Sequence, residues 1–418
     1  YVFIKSNHII VMSKVIIVGG GHAGANIAFS LRKDGFEGEI DVYSNEEFLP
    51  YHRPPLSKEF LKKNIETEKL FFKPKSFYQE QNISFHPNAL VSSIDIDTKK
   101  ITAEGSVVAF DYLVFATGSS PRLLSMPNSE ADNLFYLRKI SDVLDIHSQL
   151  ETARDIVLIG GGYIGLEVAS AMTELGLKVT ILEAEERILK RVTSPELSSF
   201  YQSIHEDKGV EIICNARVST LIAENQIINY IELESGEKIE ADAVLAGIGA
   251  IPNTQLAEDA GLDCSNGIKT DQYCRTANPH VLAAGDCANS FNTLLNQSIR
   301  LESVPNALSQ AKVVSSSITG NELYNKELPW FWSDQYDLKL QMAGLSSGYD
   351  ESIILGDIDA AEFIACYGKD GHLVAVDSVN QSKQFMLFKR ALSNGFKIEM
   401  SLIKNKDFQP ESIFSGSN

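Results

Sequence analysis

Two stretches of this chain place a short β-prone run directly before a glycine-spaced loop and a helical pattern. Residues 14–31 read KVIIVGGGHAGANIAFSL, and residues 156–171 read IVLIGGGYIGLEVASA. Each contains G-x-G-x-x-G between a strand and a helix, the context in which that spacing has a physical meaning. In the first copy, Gly19 permits the tight turn, Gly21 lets backbone approach a pyrophosphate, and Gly24 lets the helix pack on the strand. Gly160, Gly162 and Gly165 repeat these roles in the second. In both, the helix N-terminus faces the phosphates with unbonded N–H groups and the positive end of its dipole. One such loop is weak evidence for a dinucleotide site; two in context are strong.

The two copies are unequal beyond their glycines. A second strand, Lys178 to Leu182, ends in Glu183, 18 residues after Gly165. That is the expected place of an acid that binds ribose hydroxyls and repels a 2′-phosphate, which favours NADH over NADPH. The alternative is a solvated strand-end charge. In the first copy the matching position is Ser44, and Glu46 stands two residues on as a substitute. Small, flexible strand ends recur at Ala116-Thr117-Gly118, at Gly247-Ile248-Gly249 and at Gly285. Such ends let the chain pass close to a flat cofactor. Asp286 suits a polyol hydroxyl, or else caps a helix starting near Ala288.

Composition removes other classes. The 418 residues imply roughly two to three domains. A net charge of −18 disfavours general binding to nucleic acid or an anionic membrane. No apolar run reaches the ~18 residues of a membrane-spanning helix. Cys214, Cys264, Cys274, Cys287 and Cys366 are scattered and form no C-x-x-C. That argues against a disulfide scaffold, a zinc site and a redox-active dithiol, and fits inert thiols in a reducing cytoplasm. No metal site is expected. Met12 reads as the natural start, with residues 1–11 set aside as an upstream segment.

Together these features resemble the two-dinucleotide-binding flavoprotein disulfide-reductase superfamily, from Met12 to about residue 410. The stretches FLPYHRPPLSKEFL (48–61), RLESVPNALSQAK (300–312) and PWFWSDQYDLKLQMAG (329–344) narrow the resemblance. They are similar to the FAD-dependent NADH:ferredoxin and rubredoxin reductases, the putidaredoxin-reductase-like group that feeds bacterial cytochromes P450 and ring-hydroxylating dioxygenases. Peroxide-reducing NADH oxidases share the architecture but carry one redox cysteine after the second strand. Residues Ser44 to Lys58 contain no cysteine.

The resemblance implies an α/β fold with two Rossmann-like, glutathione-reductase-type domains and a C-terminal α+β domain. The implied order is FAD domain 12–122, NAD domain 123–248, FAD domain resumed at 249–323, and C-terminal domain 324–418. It implies that FAD sits on the first loop and NADH on the second, where Tyr163 and Ile164 join the glycines. It puts Lys58 beside the flavin N5 edge, where a cation stabilises negative charge on the reduced ring. Without it, Lys58 reads as a surface lysine. Glu167, expected in the first turn of its helix, would meet the nicotinamide carboxamide and pair with Lys58, or merely favour the helix dipole. Ala23, Asn45, Arg53, Val91, Arg138, Asp286 and Val304 are implied FAD contacts. Trp332 and Pro305 would flank the flavin, or pack in a core.

The implied acceptor is a [2Fe–2S] ferredoxin or rubredoxin, with no nucleic-acid or membrane partner. An acidic ferredoxin would need a local basic patch, for which Lys73 and Lys312 are the preferred pair among Lys75, Arg300, Lys339, Lys389 and Arg390. The alternatives are an NADH oxidase or another NADH–acceptor reductase, and an NADH-sensing interaction flavoprotein like the apoptosis-inducing type. Monomer and dimer both remain open.

Overall fold

The computed structural model describes residues 2–5, 8–11, 13–405 and 407–414. Met12, the expected start, lies outside the described residues. The chain divides into two compact units. One comprises Tyr1–His52, Leu70–Ser120 and Ile251–Pro329; the other comprises Arg53–Lys69, Pro121–Ala250 and Trp330–Asn418.

In the first unit, Lys14–Val18 is the middle strand of a five-stranded parallel sheet. The order is Val281–Ala283, Tyr112–Phe115, Lys14–Val18, Glu39–Tyr43, Ile83–His86. Because strand side chains alternate, Val15 and Ile17 enter one core and Ile16 and Val18 the other. The first core is closed by helices His22–Lys33 and Val304–Thr319, through Ile27, Leu31, Ala307, Ala311 and Val314. The second is closed by Ile101, Phe110 and Ile268. Burial on both faces explains why the strand reads as a continuous apolar run instead of an alternating one. Each such Val or Ile contributes about 1.5–3 kcal/mol, which fixes the strand whose end carries the glycine loop. Helix Val304–Thr319 starts at Ser303, whose hydroxyl accepts from Asn306 N–H, and stops at Gly320 in the left-handed region.

Ala288–Asn292 is a strand, parallel to Ile268–Thr270. A helix starting near Ala288 therefore does not exist, and Asp286 is no helix cap. The side chains of Ala288, Ser290 and Asn292 alternate into the interior, as the two-residue period of a strand requires.

The second unit repeats the parallel sheet. Its order is Leu134–Phe135, Ala243–Ala246, Asp155–Ile159, Lys178–Glu183, Glu211–Cys214. It also contains the C-terminal antiparallel sheet, ordered Trp330–Gln335, Leu338–Gly344, His372–Val379, Glu362–Lys369, Glu351–Asp357. Helix Ser382–Ser393 covers that sheet with Phe385, Phe388 and Ala391. This is the α+β module that the resemblance implies for the C-terminal part of the chain.

A polar group is buried in this unit. Asp377 Oδ2 accepts from the Tyr367 hydroxyl at 2.6 Å and from Thr193 Oγ1 at 2.9 Å. Burial pushes its carboxyl from 3.8 up to about 7, against the opposing effect of those two donors. A raised carboxyl means the native chain holds a proton that the unfolded chain releases. Stability from this group therefore falls as pH rises from about 4 through 7. Asp377→Asn removes that dependence. Melting scans of both proteins should show the variant gaining several degrees on the parent between pH 5 and 8, of order 2–4 °C per kcal/mol. A pH-independent difference would count against the buried proton.

Candidate functional site: two glycine cradles and a buried ion pair

Each glycine loop is built by the same close approaches. Gly19 has φ +117° and Gly160 φ +111°, backbone that L side chains rarely adopt. A Cβ on Gly19 would lie 2.1 Å from the Ala116 carbonyl oxygen, and one on Gly160 would lie 2.5 Å from that of Gly247. A Cβ on Gly24 would lie 1.9 Å from the Gly19 carbonyl oxygen, and one on Gly165 would lie 2.3 Å from that of Gly160. The strand ends singled out at Ala116–Gly118 and Gly247–Gly249 are thus the walls of the two loops. Backbone bonds repeat too: Gly19 N–H donates to Tyr43 O, and Gly160 N–H to Leu182 O, both at 2.8 Å.

The middle glycines Gly21 and Gly162 are the helix N-caps, both extended, and neither helix start has a side-chain cap among the described residues. A Cβ on Gly162 would point into open space. Both loops fit a pyrophosphate in offering uncapped N–H groups at a helix start.

Around the first loop, Gly285 brings its α-carbon close to helix His22–Lys33, since a Cβ there would meet Ala23 Cβ at 3.0 Å. Asp286 Oδ2 accepts from Ser119 Oγ at 3.0 Å. Val304 opens the helix packed on His22–Lys33. Gly20 abuts Ser44 as Gly161 abuts Glu183, so Ser44 stands where the second loop has its acid. Glu46 follows, its carboxylate accepting from Tyr51 and its N–H donating to Ser44 Oγ. Asn45 is exposed and Val91 is buried at the start of its strand.

Around the second loop, the Glu183 carboxylate is pinned. Oε2 accepts from Gly161 N–H at 2.7 Å and Oε1 from Glu185 N–H at 2.8 Å. It is a held group at the loop, not a freely solvated strand-end charge. The Tyr163 ring lies 5.5 Å from Phe331, and its hydroxyl is buried with no hydrogen-bond partner among the described residues. Ile164 is exposed.

Lys58 and Glu167 form an ion pair at 2.6 Å within the second unit. The Lys58 side chain is 19% exposed and that of Glu167 6%, so Lys58 is not an ordinary surface lysine. Glu167 is the fifth residue of helix Tyr163–Glu174, beyond its first turn, where the dipole effect has faded. The expectation of a first-turn acid is corrected accordingly. Two partners went unnoticed in the sequence. Ser57 Oγ donates to Glu167 Oε2 at 2.6 Å, and Ser333 Oγ to Oε1 at 2.7 Å. A signal was present for Ser333. In strand Trp330–Gln335, Ser333 and Gln335 share one face by the two-residue period, opposite Trp332.

Arg53 and Arg138 also meet in the second unit, Arg53 Nη1 donating to the Arg138 carbonyl at 2.6 Å. Trp332 lies 5.6 Å from Trp330, over which Lys389 Nζ sits at 3.7 Å. All five cysteines are free. Burial pushes Cys264 up to about 11 and Cys274 to about 12, and raises Cys214, Cys287 and Cys366. They stay protonated at neutral pH and are poor nucleophiles. Among the described residues, no group of three or more His, Cys, Asp and Glu could hold a metal, and no helix is long and apolar enough to cross a membrane.

Residues 13–311 match the family described as pyridine nucleotide-disulphide oxidoreductase, and residues 330–412 match the reductase C-terminal family. The chain is 37% identical to putidaredoxin reductase of Pseudomonas putida over 412 residues, covering 96% of this chain and 97% of that one. It is 38% identical to a rubredoxin-NAD(+) reductase of the same species, covering 88% and 96%. The structure of a covalent putidaredoxin reductase–putidaredoxin complex superposes with a TM-score of 0.93 at 37% identity, covering 96% of this chain and 98% of that one. The fold is thus that of the two-dinucleotide-binding flavoproteins with an added C-terminal domain, and the chain belongs to the pyridine nucleotide-disulphide oxidoreductase family.

Proposed function

We propose that this protein is an FAD-containing, NADH-dependent ferredoxin reductase. Bound FAD would supply the chemistry that converts a hydride from NADH into single electrons for a [2Fe–2S] ferredoxin or rubredoxin serving a cytochrome P450 or dioxygenase. The observation that carries the reading is the pair of glycine cradles, alike in the backbone approaches of their first and last glycines, with no reactive thiol to act as acceptor. Relatives named for putidaredoxin, ferredoxin and rubredoxin favour a separate electron carrier. The cytoplasm is the proposed setting, on the strength of five scattered, free cysteines.

On this reading Gly19, Gly21, Ala23 and Gly24 hold the FAD pyrophosphate, with Asn45, Glu46, Val91, Ala116–Gly118, Gly285, Asp286 and Val304 around the rest. Arg53 and Arg138 are the remaining FAD contacts on this reading. Gly160, Gly162, Tyr163, Ile164, Gly165 and Gly247–Gly249 hold NADH. Lys58 and Glu167 set the charge and orientation where hydride moves, and Trp332 of the C-terminal sheet flanks the flavin.

Glu183 gives the reading a quantitative test. Its two backbone bonds aim the carboxylate, which can then accept from two ribose hydroxyls and repel a 2′-phosphate. Glu183→Ala should lower kcat/KM for NADH about tenfold, the worth of one charged hydrogen bond, and narrow the preference over NADPH. Steady-state reduction of ferricyanide with both nucleotides measures this. Faster turnover with NADPH by the unmodified protein would refute the assignment.

A further inference from the structure

A line of hydrogen bonds leads away from Glu167 through Ser333, Gln335 and His205. Ser333 Oγ donates to Glu167 Oε1, and Gln335 Nε2 donates to Ser333 Oγ at 3.2 Å. Gln335 Oε1 lies 2.9 Å from His205 Nε2, and His205 Nδ1 lies 3.2 Å from the Tyr336 hydroxyl. Ser333, Gln335 and His205 are each at most 1% exposed. All these residues belong to the second unit.

The direction of the line is set at its Glu167 end. Lys58 can only donate, and it shares Oε2 with the Ser57 hydroxyl. An ionised Glu167 has only acceptor oxygens, so Ser333 must donate to it. Ser333 therefore accepts from the Gln335 amide nitrogen. That turns the Gln335 oxygen toward His205, which must donate from Nε2. His205 Nδ1 is then an acceptor for Tyr336. Burial holds the His205 imidazole below its ordinary range, opposed by the bond to Gln335, so one ring nitrogen carries no proton at neutral pH. A carboxamide passes no proton, so the line orients groups and does not conduct.

The geometry points to Ser333, Gln335 and His205 as positioning residues: a buried, one-way hydrogen-bond line that holds Glu167 as an acceptor for Lys58, and whose direction is recorded in the tautomer of His205. The inference rests on the reading of Glu167 as part of the hydride site only for its functional meaning; the direction of the line stands on geometry alone.

Glutamine at position 167 should reverse the line. Its oxygen must stay with Lys58 and Ser57, which are both donors, so its NH₂ faces Ser333. Ser333 must then accept and turn its proton to Gln335. The Gln335 amide flips and donates to His205 Nε2, and the ring proton moves to Nδ1. Tyr336 can take either role, because a hydroxyl both donates and accepts.

The test is ¹⁵N NMR of the His205 ring in the FAD-loaded protein at neutral pH, with selectively labelled histidine. We expect the Nε2–H tautomer in the parent and a change of the predominant tautomer to Nδ1–H in Glu167→Gln. Ser333→Ala, which cuts the line, should leave a mixture; it serves as the second variant if Glu167→Gln does not fold. An Nδ1–H ring in the parent, or a tautomer indifferent to both substitutions, overturns the inference. Flavin bleaching by NADH keeps the two ideas apart. A switched tautomer with unchanged bleaching in Glu167→Gln would sink the hydride-site reading alone. Slowed bleaching with an unswitched tautomer would sink the line alone.

Discussion

Glu167→Gln is expected to slow the reduction of bound flavin by NADH about 100-fold in single-turnover measurements, with FAD still bound. The substitution is nearly isosteric, but it removes the charge that faces Lys58 at 2.6 Å. Lys58 would be left buried beside a neutral amide that already has to satisfy Ser57 and Ser333. Losing one aimed electrostatic contact at a reacting centre typically costs 10²–10³ in rate. Leaving one partner of a buried pair uncompensated also destabilises, by about 3–5 kcal/mol, so the melting temperature should fall. Flavin content and NADH affinity separate the two effects. A slow rate at saturating NADH with full flavin content supports the role at the reacting centre. A normal rate in a less stable protein would reduce the pair to a structural one.

The second large effect concerns the loops. Gly24→Ala places a Cβ where the Gly19 carbonyl oxygen sits, 1.9 Å away, so strand end and helix must separate. Gly165→Ala makes the same intrusion on Gly160 at 2.3 Å. Both obstacles are backbone atoms, which no rotamer change can move. Two distinct outcomes follow. Gly24→Ala should purify colourless, with FAD affinity lowered at least 100-fold. Gly165→Ala should purify yellow yet resist bleaching by NADH, with its NADH affinity lowered similarly. Absorbance and nucleotide titration measure both. Loss of flavin from the Gly165 variant alone would reverse the assignment of the two loops.

Much of the site was legible because glycine is demanded by sterics. Positions 19, 24, 160 and 165 could be read from spacing, since only a missing Cβ tolerates the approaches found there. Glu183 was legible for a similar reason: a strand of fixed rise carries it from Lys178 to the loop. The alternative of a helix starting near Ala288 fails on the strand Ala288–Asn292, because short segments with Ala and Asn carry little periodic signal. The expectation of Glu167 in the first helical turn misses by a residue or two in where the helix begins. Its partners Ser57 and Ser333 lie 110 and 166 residues away along the chain. No local pattern connects residues that far apart, so only the fold reveals that they meet. His205 was out of reach for the same reason, 130 residues from Gln335.

Two nucleotides serving one electron carrier is the central claim. It is tested most directly by mixing the purified yellow protein anaerobically with NADH and a [2Fe–2S] ferredoxin encoded beside its gene, and following the cluster's visible spectrum. Reduction of the ferredoxin by NADH, dependent on the flavoprotein and much slower with NADPH, is the predicted result. A protein that holds FAD, is bleached by NADH and passes electrons rapidly to dioxygen but to no ferredoxin or rubredoxin would contradict it.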